Sequence, residues 1–438
     1  GACAFRGNPQ PGGCIAGEAR VPGDKSMSHR SVMLGALADG TTRVRGFLEG
    51  EDALATLEAF RSMGVSIERG GAGEVTIHGV GLHGLEAPEA PLDLGNAGTG
   101  MRLLCGLMAG QPFDTRLTGD ASLCSRPMGR VIDPLVLMGA AIDAREGGRP
   151  PLSITGGRPL HGIHYDLPMA SAQVKSCVLL AGLYAEGRTS VTEPAPTRDH
   201  TERMLRGFGY PVEQENGVIS LQGGGSLTAA DIDVPADISS AAFFLVAASI
   251  APGSDLLLSH VGINATRTGV LNILRLMGAD ITLLNEREVG GEPVADIRVR
   301  YAPLHGIDIP EDQVPLAIDE FPALFIAAAC AEGRTVLRGA EELRVKESDR
   351  IAAMAEGLST LGVANEVLED GIVIDGGTLG GGEIRTHMDH RIAMAFAIAA
   401  LRAEREIVVL DCDHVATSFP SFERLAGKLG LRIEARDD

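Results

Sequence analysis

One pattern recurs six times along the chain and leaves few folds open to it. A helix-like stretch ends in Gly and runs into β-like residues at FRSMGVSIE, LVLMGAAID, LRGFGYPVE, LRLMGADIT, LSTLGVANEV and AGKLGLRIE. The glycines are Gly64, Gly139, Gly209, Gly278, Gly362 and Gly430, at intervals of about 70 residues, a fixed period that marks a repeated structural unit. Gly just past a helix is the expected stop, because it takes the left-handed backbone with no Cβ to clash. A second element keeps the same beat. Six Ala-rich apolar segments precede these units: HRSVMLGALADG, MRLLCGLMAG, QVKSCVLLAGLYAEG, SSAAFFLVAASIAPG, PALFIAAACAEG and HRIAMAFAIAALRAE. Each is followed by a short strand such as TTRVRG or RTVLRG. Helices apolar nearly all round belong inside, surrounded by sheet.

With 438 residues the chain exceeds one ordinary core, and six units divide into two domains of three. Each unit alternates strands with helices, so two closed α/β domains are expected rather than a solenoid. The third and fourth units meet near Pro235 to Ser240. We assign residues 25–236 to one domain and 1–24 with 237–438 to the other, although pattern alone does not place the lead-in before Pro22. The opening GACAFRGNPQPGG reads as a processed, tagged or frayed end.

Hydrophobic residues at 45% and charged residues at 22% give the profile of a soluble globular protein. The formal charge of −20 argues against nucleic acid or an anionic membrane as partner. It also makes any local gathering of Lys and Arg a sign of a bound anion. Of seven cysteines, none forms a C-x-x-C pair, and Cys105, Cys177 and Cys330 lie in Ala/Leu-rich runs. No disulfide framework or zinc site is expected, and a reducing cytoplasm fits. No uninterrupted apolar run is long enough to span a bilayer, and no signal peptide is read.

Reactive-looking residues fall at helix starts, where unpaired N–H groups and the dipole make an anion site. PGDKSMSHRS offers Lys25, Ser26 and Arg30, with Gly23 allowing close backbone approach and Ser26 able to cap; a plain capped helix would look the same. LDLGNAGTGMR offers Asn96, Gly98 and Arg102 around a glycine nest. In SRPMGR, Arg126 precedes Pro127, which fits the first position of a helix. PMASAQVKS brings Ser171, Gln173 and Lys175, with an ordinary N-cap as the plain alternative. TRDH and TRTG place Arg198 and Arg267 alike, and of the two we favour Arg198. IDEFP sets Asp319 and Glu320 before an apolar helix, where capping competes as an explanation. RVKESDR sets Lys346 and Arg350 four apart on one helical face with Glu347 between, as a surface ion-pair cluster also would. MDHRIAM opens a helix with Asp389, His390 and Arg391.

From about Ile15 to Glu434 these motifs, with TSFP, stand in the order of the 5-enolpyruvylshikimate-3-phosphate synthase family, which the chain resembles. GNAGTGMRLL, PMASAQVKS and TRDHTE are similar to the bacterial subgroup that includes glyphosate-tolerant members. The resemblance implies the enolpyruvyl transferase fold: two similar α/β domains, each of three βαβαββ-type repeats, closing over substrate from an open form. It implies that Lys25, Ser26, Arg30, Ser171, Gln173, Arg198, Asp319 and Lys346 hold shikimate 3-phosphate. Phosphoenolpyruvate would be held by Lys25, Asn96, Gly98, Arg126, Gln173, Arg350 and Arg391. Residues 25–236 would carry the shikimate 3-phosphate motifs, and the other domain the acid–base and phosphoenolpyruvate motifs. Asp319 and Glu347 would be the acid–base pair, with Lys25 assisting and no metal or other cofactor. A cytoplasmic monomer is expected.

Three positions matter beyond this. Ala172 stands where many members carry a second Ser, and Thr417 where many carry a Lys that touches phosphoenolpyruvate. Gly98 is typical of glyphosate-sensitive members. The related UDP-N-acetylglucosamine enolpyruvyltransferase typically uses a loop Cys, for which Cys124 is the one candidate, but SRPMGR favours the shikimate enzyme. A binding protein that kept the cations and lost turnover is disfavoured by the joint presence of Asp319, Lys346 and Glu347.

Overall fold

The computed structural model of the chain describes residues 8–434 apart from 413, 414, 416–418 and 421. All six repeat glycines take the left-handed backbone the sequence asks of them, with φ between 78° and 128°. Each follows the second helix of a unit: Glu51–Ser62, Gly129–Leu137, His200–Gly207, Gly269–Leu276, Arg350–Thr360 and Phe422–Leu429. The first helices are Lys25–Leu37, Gly98–Ala109, Ala172–Gly182, Ile238–Ile250, Phe321–Cys330 and His390–Ala399. They are buried on nearly every side; all 13 residues of Ile238–Ile250 are buried. The second helices are two-faced. Gly129–Leu137 buries Val131 and Leu135 while Leu137 lies exposed.

The chain forms two compact units, one of residues 23–234 with 289–292 and one of 1–22, 235–288 and 293–438. Each has its own hydrophobic core. In the 23–234 unit three four-stranded sheets share one plan: two parallel strands, then two antiparallel ones. Leu92–Asp93 pairs parallel with Thr115–Thr118, which pairs antiparallel with Arg149–Thr155, which pairs antiparallel with Ala141–Arg145. His164–Asp166 begins the second sheet beside Arg188–Thr192. The third begins with Ile232–Asp233 beside Thr41–Arg45, so the last strand of this unit closes onto its first repeat.

The other unit follows the same plan around Ala16–Ala19, which pairs parallel with Asp255–Gly262 and thereby gives the lead-in before Pro22 its place. Arg334–Leu337 pairs antiparallel with Ile372–Asp375, and Gly382–Arg385 parallel with Ile407–Leu410. The stretch Glu311–Cys330 is long and apolar enough by composition to cross a bilayer, but short 3-10 turns interrupt it and most of it is buried in the core. One sequence reading, that of the cysteines, is amended in this unit. Cys412 is disulfide-bonded, which the scattered cysteine spacing did not suggest. Cys14, Cys105, Cys124, Cys177 and Cys330 are free.

Candidate active site

In the 23–234 unit most of the expected residues lie at the starts of first helices, while Arg126 and Arg198 precede second helices. Asp24 caps Lys25–Leu37 by accepting from the Met27 N–H at 2.9 Å, so Asp24, not Ser26, is the cap. Gly23 is close-packed against this unit's own backbone: a Cβ there would fall 1.8 Å from the Gly46 carbonyl oxygen. Lys25, partly exposed, pairs with Asp52. His29 is kept neutral by burial and by Lys25 and Arg30, its pKa pushed down to about 3. Arg30 is buried, and its guanidinium donates to Thr201 Oγ1 at 2.7 Å, to the Ser26 carbonyl at 3.0 Å and to Ser176 Oγ at 3.1 Å. It thus ties together three helices near their N-terminal ends. Thr201 and Ser176 were missed in the sequence because nothing local marks them. Arg198 lies close enough to Arg30 to oppose its charge. Lys175 is wholly buried in ion pairs of 3.0 Å with Glu193 and 3.0 Å with Glu202, a structural triad rather than a ligand group.

The glycine nest is ringed by cations. Gln173 accepts from Arg102 Nη1 at 3.0 Å and donates to Thr99 Oγ1 at 2.9 Å, joining two helix starts. Arg126 donates to Asn96 Oδ1 and, at 3.4 Å, to Ser122 Oγ. Burial, then the nearby charges of Arg126 and Arg130, push the Arg102 pKa down. Among the described residues none of these three arginines has an ion-pair partner, so the cluster holds net positive charge on an acidic chain. Gly98 sits within it: an added Cβ would lie 2.9 Å from Nη1 of both Arg102 and Arg126. Pro127 does not open a helix. Arg126 is extended after the Leu123–Ser125 turn, as a residue before Pro prefers, and the next helix starts at Gly129. Ser171 caps Ala172–Gly182 through the Val174 N–H at 3.3 Å. Cys124 Sγ lies 3.5 Å from the Gly119 carbonyl within a turn.

In the other unit the carboxylates and cations are interlocked. Arg350, 1% exposed, is held by the fully buried Asp389, Nε to Oδ2 at 2.9 Å, and by Glu347 at 2.6 Å. Ser348 donates to the same Asp389 oxygen at 2.8 Å. Burial alone would raise the Asp389 pKa, but Arg350 and these hydrogen bonds outweigh it and hold it low. Arg350 Nη1 is buried with no hydrogen-bond partner among the described residues, 3.8 Å from Asp319 Oδ1. Lys346 Nζ stands 3.7 Å from that same oxygen. Lys346 and Arg350 do not share a helix face: Asp349 caps the Ala352 N–H at 3.0 Å and starts the helix at Arg350, leaving Lys346 extended. They converge on Asp319 all the same, across the loop. Asp319 lies in a one-turn 3-10 helix, Ile318–Glu320, directly ahead of Phe321–Cys330. Arg391 Nη1 donates to the Asp319 carbonyl at 3.3 Å. Despite burial, Asp319, Asp237, Glu320 and Glu347 hold the Arg391 pKa up. Thr417 lies outside the described residues.

Among the described residues no group of three or more His, Cys, Asp or Glu side chains could hold a metal ion. The 23–234 unit holds cations at helix starts, and the other unit, taken by itself, sets Asp389 and Glu347 on the buried Arg350.

Two similar units, each of sheets around buried helices, make this an enolpyruvyl transferase fold. The solved enolpyruvyl transferase NikO from Streptomyces tendae shares that fold, with a TM-score of 0.79 at 19% identity over 98% of each chain. The EPSP synthase (3-phosphoshikimate 1-carboxyvinyltransferase) family model matches residues 9–425, and the chain belongs to that family of transferases. Two relatives named 3-phosphoshikimate 1-carboxyvinyltransferase are 68% identical. That of Alkalilimnicola ehrlichii matches over 98% of this chain and 96% of its own, and that of Methylococcus capsulatus over 97% of each. The solved EPSP synthase of Acinetobacter baumannii is 61% identical with a TM-score of 0.95, over 98% of this chain and 99% of its own.

Proposed function

We propose that the chain transfers the enolpyruvyl group of phosphoenolpyruvate to the 5-hydroxyl of shikimate 3-phosphate and releases phosphate, a step of the shikimate pathway. The observation that carries this reading is the arrangement of Asp319 and Glu347 about Arg350, whose buried Nη1 is turned toward Asp319. Two carboxyl groups set by one immobile guanidinium suit a reaction that needs one proton given and one taken. Glu347 gives a proton to the methylene carbon of phosphoenolpyruvate, and Asp319 takes the proton of the 5-hydroxyl as its oxygen attacks C2. The tetrahedral adduct then loses phosphate as Glu347 takes a proton back from the new methyl group and the double bond returns.

Both reactants are multiply anionic, and the forked guanidinium suits phosphate and carboxylate oxygens. Lys25, Ser26, Arg30, Ser171, Gln173 and Arg198 take shikimate 3-phosphate, with Asp319 and Lys346. Asn96, Gly98, Arg126, Gln173 and Lys25 take phosphoenolpyruvate, with Arg350 and Arg391. Glyphosate competes with phosphoenolpyruvate beside Gly98. The enzyme acts as a cytoplasmic monomer.

The deciding measurement is phosphate release from the two substrates. Turnover that persists in Asp319→Asn or Glu347→Gln removes that residue from the mechanism, and calorimetric binding without release makes the chain a binding protein. Inactivation by thiol alkylation would point instead to Cys124 chemistry.

A further inference from the structure

Arg198 lies in a stretch without helix or strand, 193–199, between the strand Arg188–Thr192 and the helix His200–Gly207. Its sequence is EPAPTRD, with residues 194–196 exposed, so packing alone does not hold the tip of this loop. Two side-chain clasps hold it, one on each side of Arg198. On the first side Thr197 Oγ1 donates to Glu193 Oε1 and closes the loop across its own base. The same Glu193 oxygen pairs with Lys175 Nζ at 3.0 Å, and the wholly buried Lys175 is fixed in turn by Glu202 at 3.0 Å. Lys175 stands on the helix that Ser171 caps, and Glu202 on His200–Gly207. On the second side Asp199 occupies the N-cap place of His200–Gly207 but makes no side-chain cap. Its Oδ2 accepts instead from Arg203 Nε at 2.9 Å, and Arg203 Nη1 donates to the Gly291 carbonyl at 2.7 Å.

We propose that Thr197 and Glu193 are positioning residues for Arg198, through which the buried Lys175 sets how tightly shikimate 3-phosphate is held. The inference rests on reading Arg198 as a ligand of that substrate. Ion pairs buried as deeply as those of Lys175 are weak evidence for stability, since apolar residues of similar volume often do as well. What apolar residues could not supply is a directed acceptor, an oxygen fixed from the helix side onto which the Thr197 hydroxyl locks. A guanidinium that binds an anion loses rotamer freedom, and a loose loop would add its own ordering cost to that loss. Holding the backbone on both sides of Arg198 removes the second cost before substrate arrives. The clasps also oppose a local repulsion. Arg198 lies close enough to Arg30 to oppose its charge, so a released loop would let the two cations part.

The test is the steady-state kinetics of Thr197→Val, followed by phosphate release, alone and combined with Arg198→Ala. Val keeps the shape of Thr and removes the donor. The shikimate 3-phosphate KM should rise by up to about tenfold, the loss of one hydrogen bond to a charged acceptor, while kcat and the phosphoenolpyruvate KM stay near wild type. Thr197→Ser, which restores the hydroxyl, should return the KM to the wild-type range. In the Arg198→Ala background Thr197→Val should add nothing, because its effect runs through the guanidinium. A wild-type shikimate 3-phosphate KM in Thr197→Val overturns the proposal whatever the melting temperature does, and so does an effect that persists in full without the guanidinium. If Thr197→Val does not fold, Thr197→Ala carries the same expectations, since it only deletes atoms from a half-buried loop position. Arg198→Ala separates the two levels. A wild-type KM in it means that the reading of Arg198 as a ligand has failed; a raised KM beside an unaltered Thr197→Val means that only this inference has.

Discussion

In the 23–234 unit the arginines around Gly98 face one another; in the other unit the arginines around Asp319 face carboxylates. Arg102, Arg126 and Arg130 hold one another's charge against no ion-pair partner among the described residues, and the Arg102 pKa falls for it. Arg350 is pinned by Asp389 and Glu347, and Arg391 is held cationic by four acids around it. The first arrangement leaves positive charge uncompensated by any ion pair among the described residues. The second is neutralised in advance, so it stores geometry. On the proposed function, the unpaired cations of one half would weigh most in anion affinity, and the interlocked groups of the other in the geometry of proton transfer.

The largest contrast to test is in turnover. We predict that Asp319→Asn and Glu347→Gln each lower kcat by roughly 10²–10⁴, the range for positioned acid–base groups, with substrate binding little changed. Arg126→Ala should instead raise the phosphoenolpyruvate KM more than it lowers kcat. Reversed kinetic signatures would break the division. In stability the contrast runs the same way. Asp389→Asn leaves the buried Arg350 charge without its main partner and should cost about 3–5 kcal/mol in denaturant unfolding. Arg126→Met, partly exposed, should stay within about 0.5 kcal/mol.

Gly98→Ala sharpens the picture on the binding side. The new methyl must push two guanidinium ends off their positions, a distortion worth about 0.5–1.5 kcal/mol. The phosphoenolpyruvate KM should rise up to about tenfold, and glyphosate should inhibit less. Undiminished inhibition would place the herbicide elsewhere. The smallest effect expected is at acid pH. The Asp389 pKa is lowered from 3.8, so its contribution is present above that value and lost as pH falls through the folded value. The stability gap between wild type and Asp389→Asn should therefore be constant near neutrality and narrow below about pH 4. A gap that survives at the acid extreme would trace to packing.

The repeat was legible because its signal is local. A left-handed glycine after a helix, at Gly64 or Gly430, is decided by its own backbone and needs no distant partner. Most of the charged motifs were legible for the same reason, since helix starts are written in short runs. What failed was the conformation inside those runs. Pro127 and the Lys346–Arg350 spacing both suggested helix, and tertiary contacts and the Asp349 cap decided otherwise. Contacts at long separation were invisible altogether: Ser239 to Glu320 spans 81 positions and Arg30 to Thr201 spans 171, with no period to betray them. Ranking Arg198 above Arg267 by motif alone therefore overlooked the cluster that Arg267 completes with Asp237 and Ser239.

The pairing of Ala16–Ala19 with Asp255–Gly262 has a consequence for how the molecule is born. The Ile15 N–H finds its acceptor at Ser254, 239 positions later. At a synthesis rate of about 5–20 residues per second, that strand waits tens of seconds or less on the ribosome for its neighbour. Most of the 23–234 unit, including its closing strand Ile232–Asp233, is synthesised in that interval, while residues 289–292, which belong to the same unit, come later. Translation order thus delivers the body of one half of this enzyme before the half that surrounds it in sequence has an edge to build on.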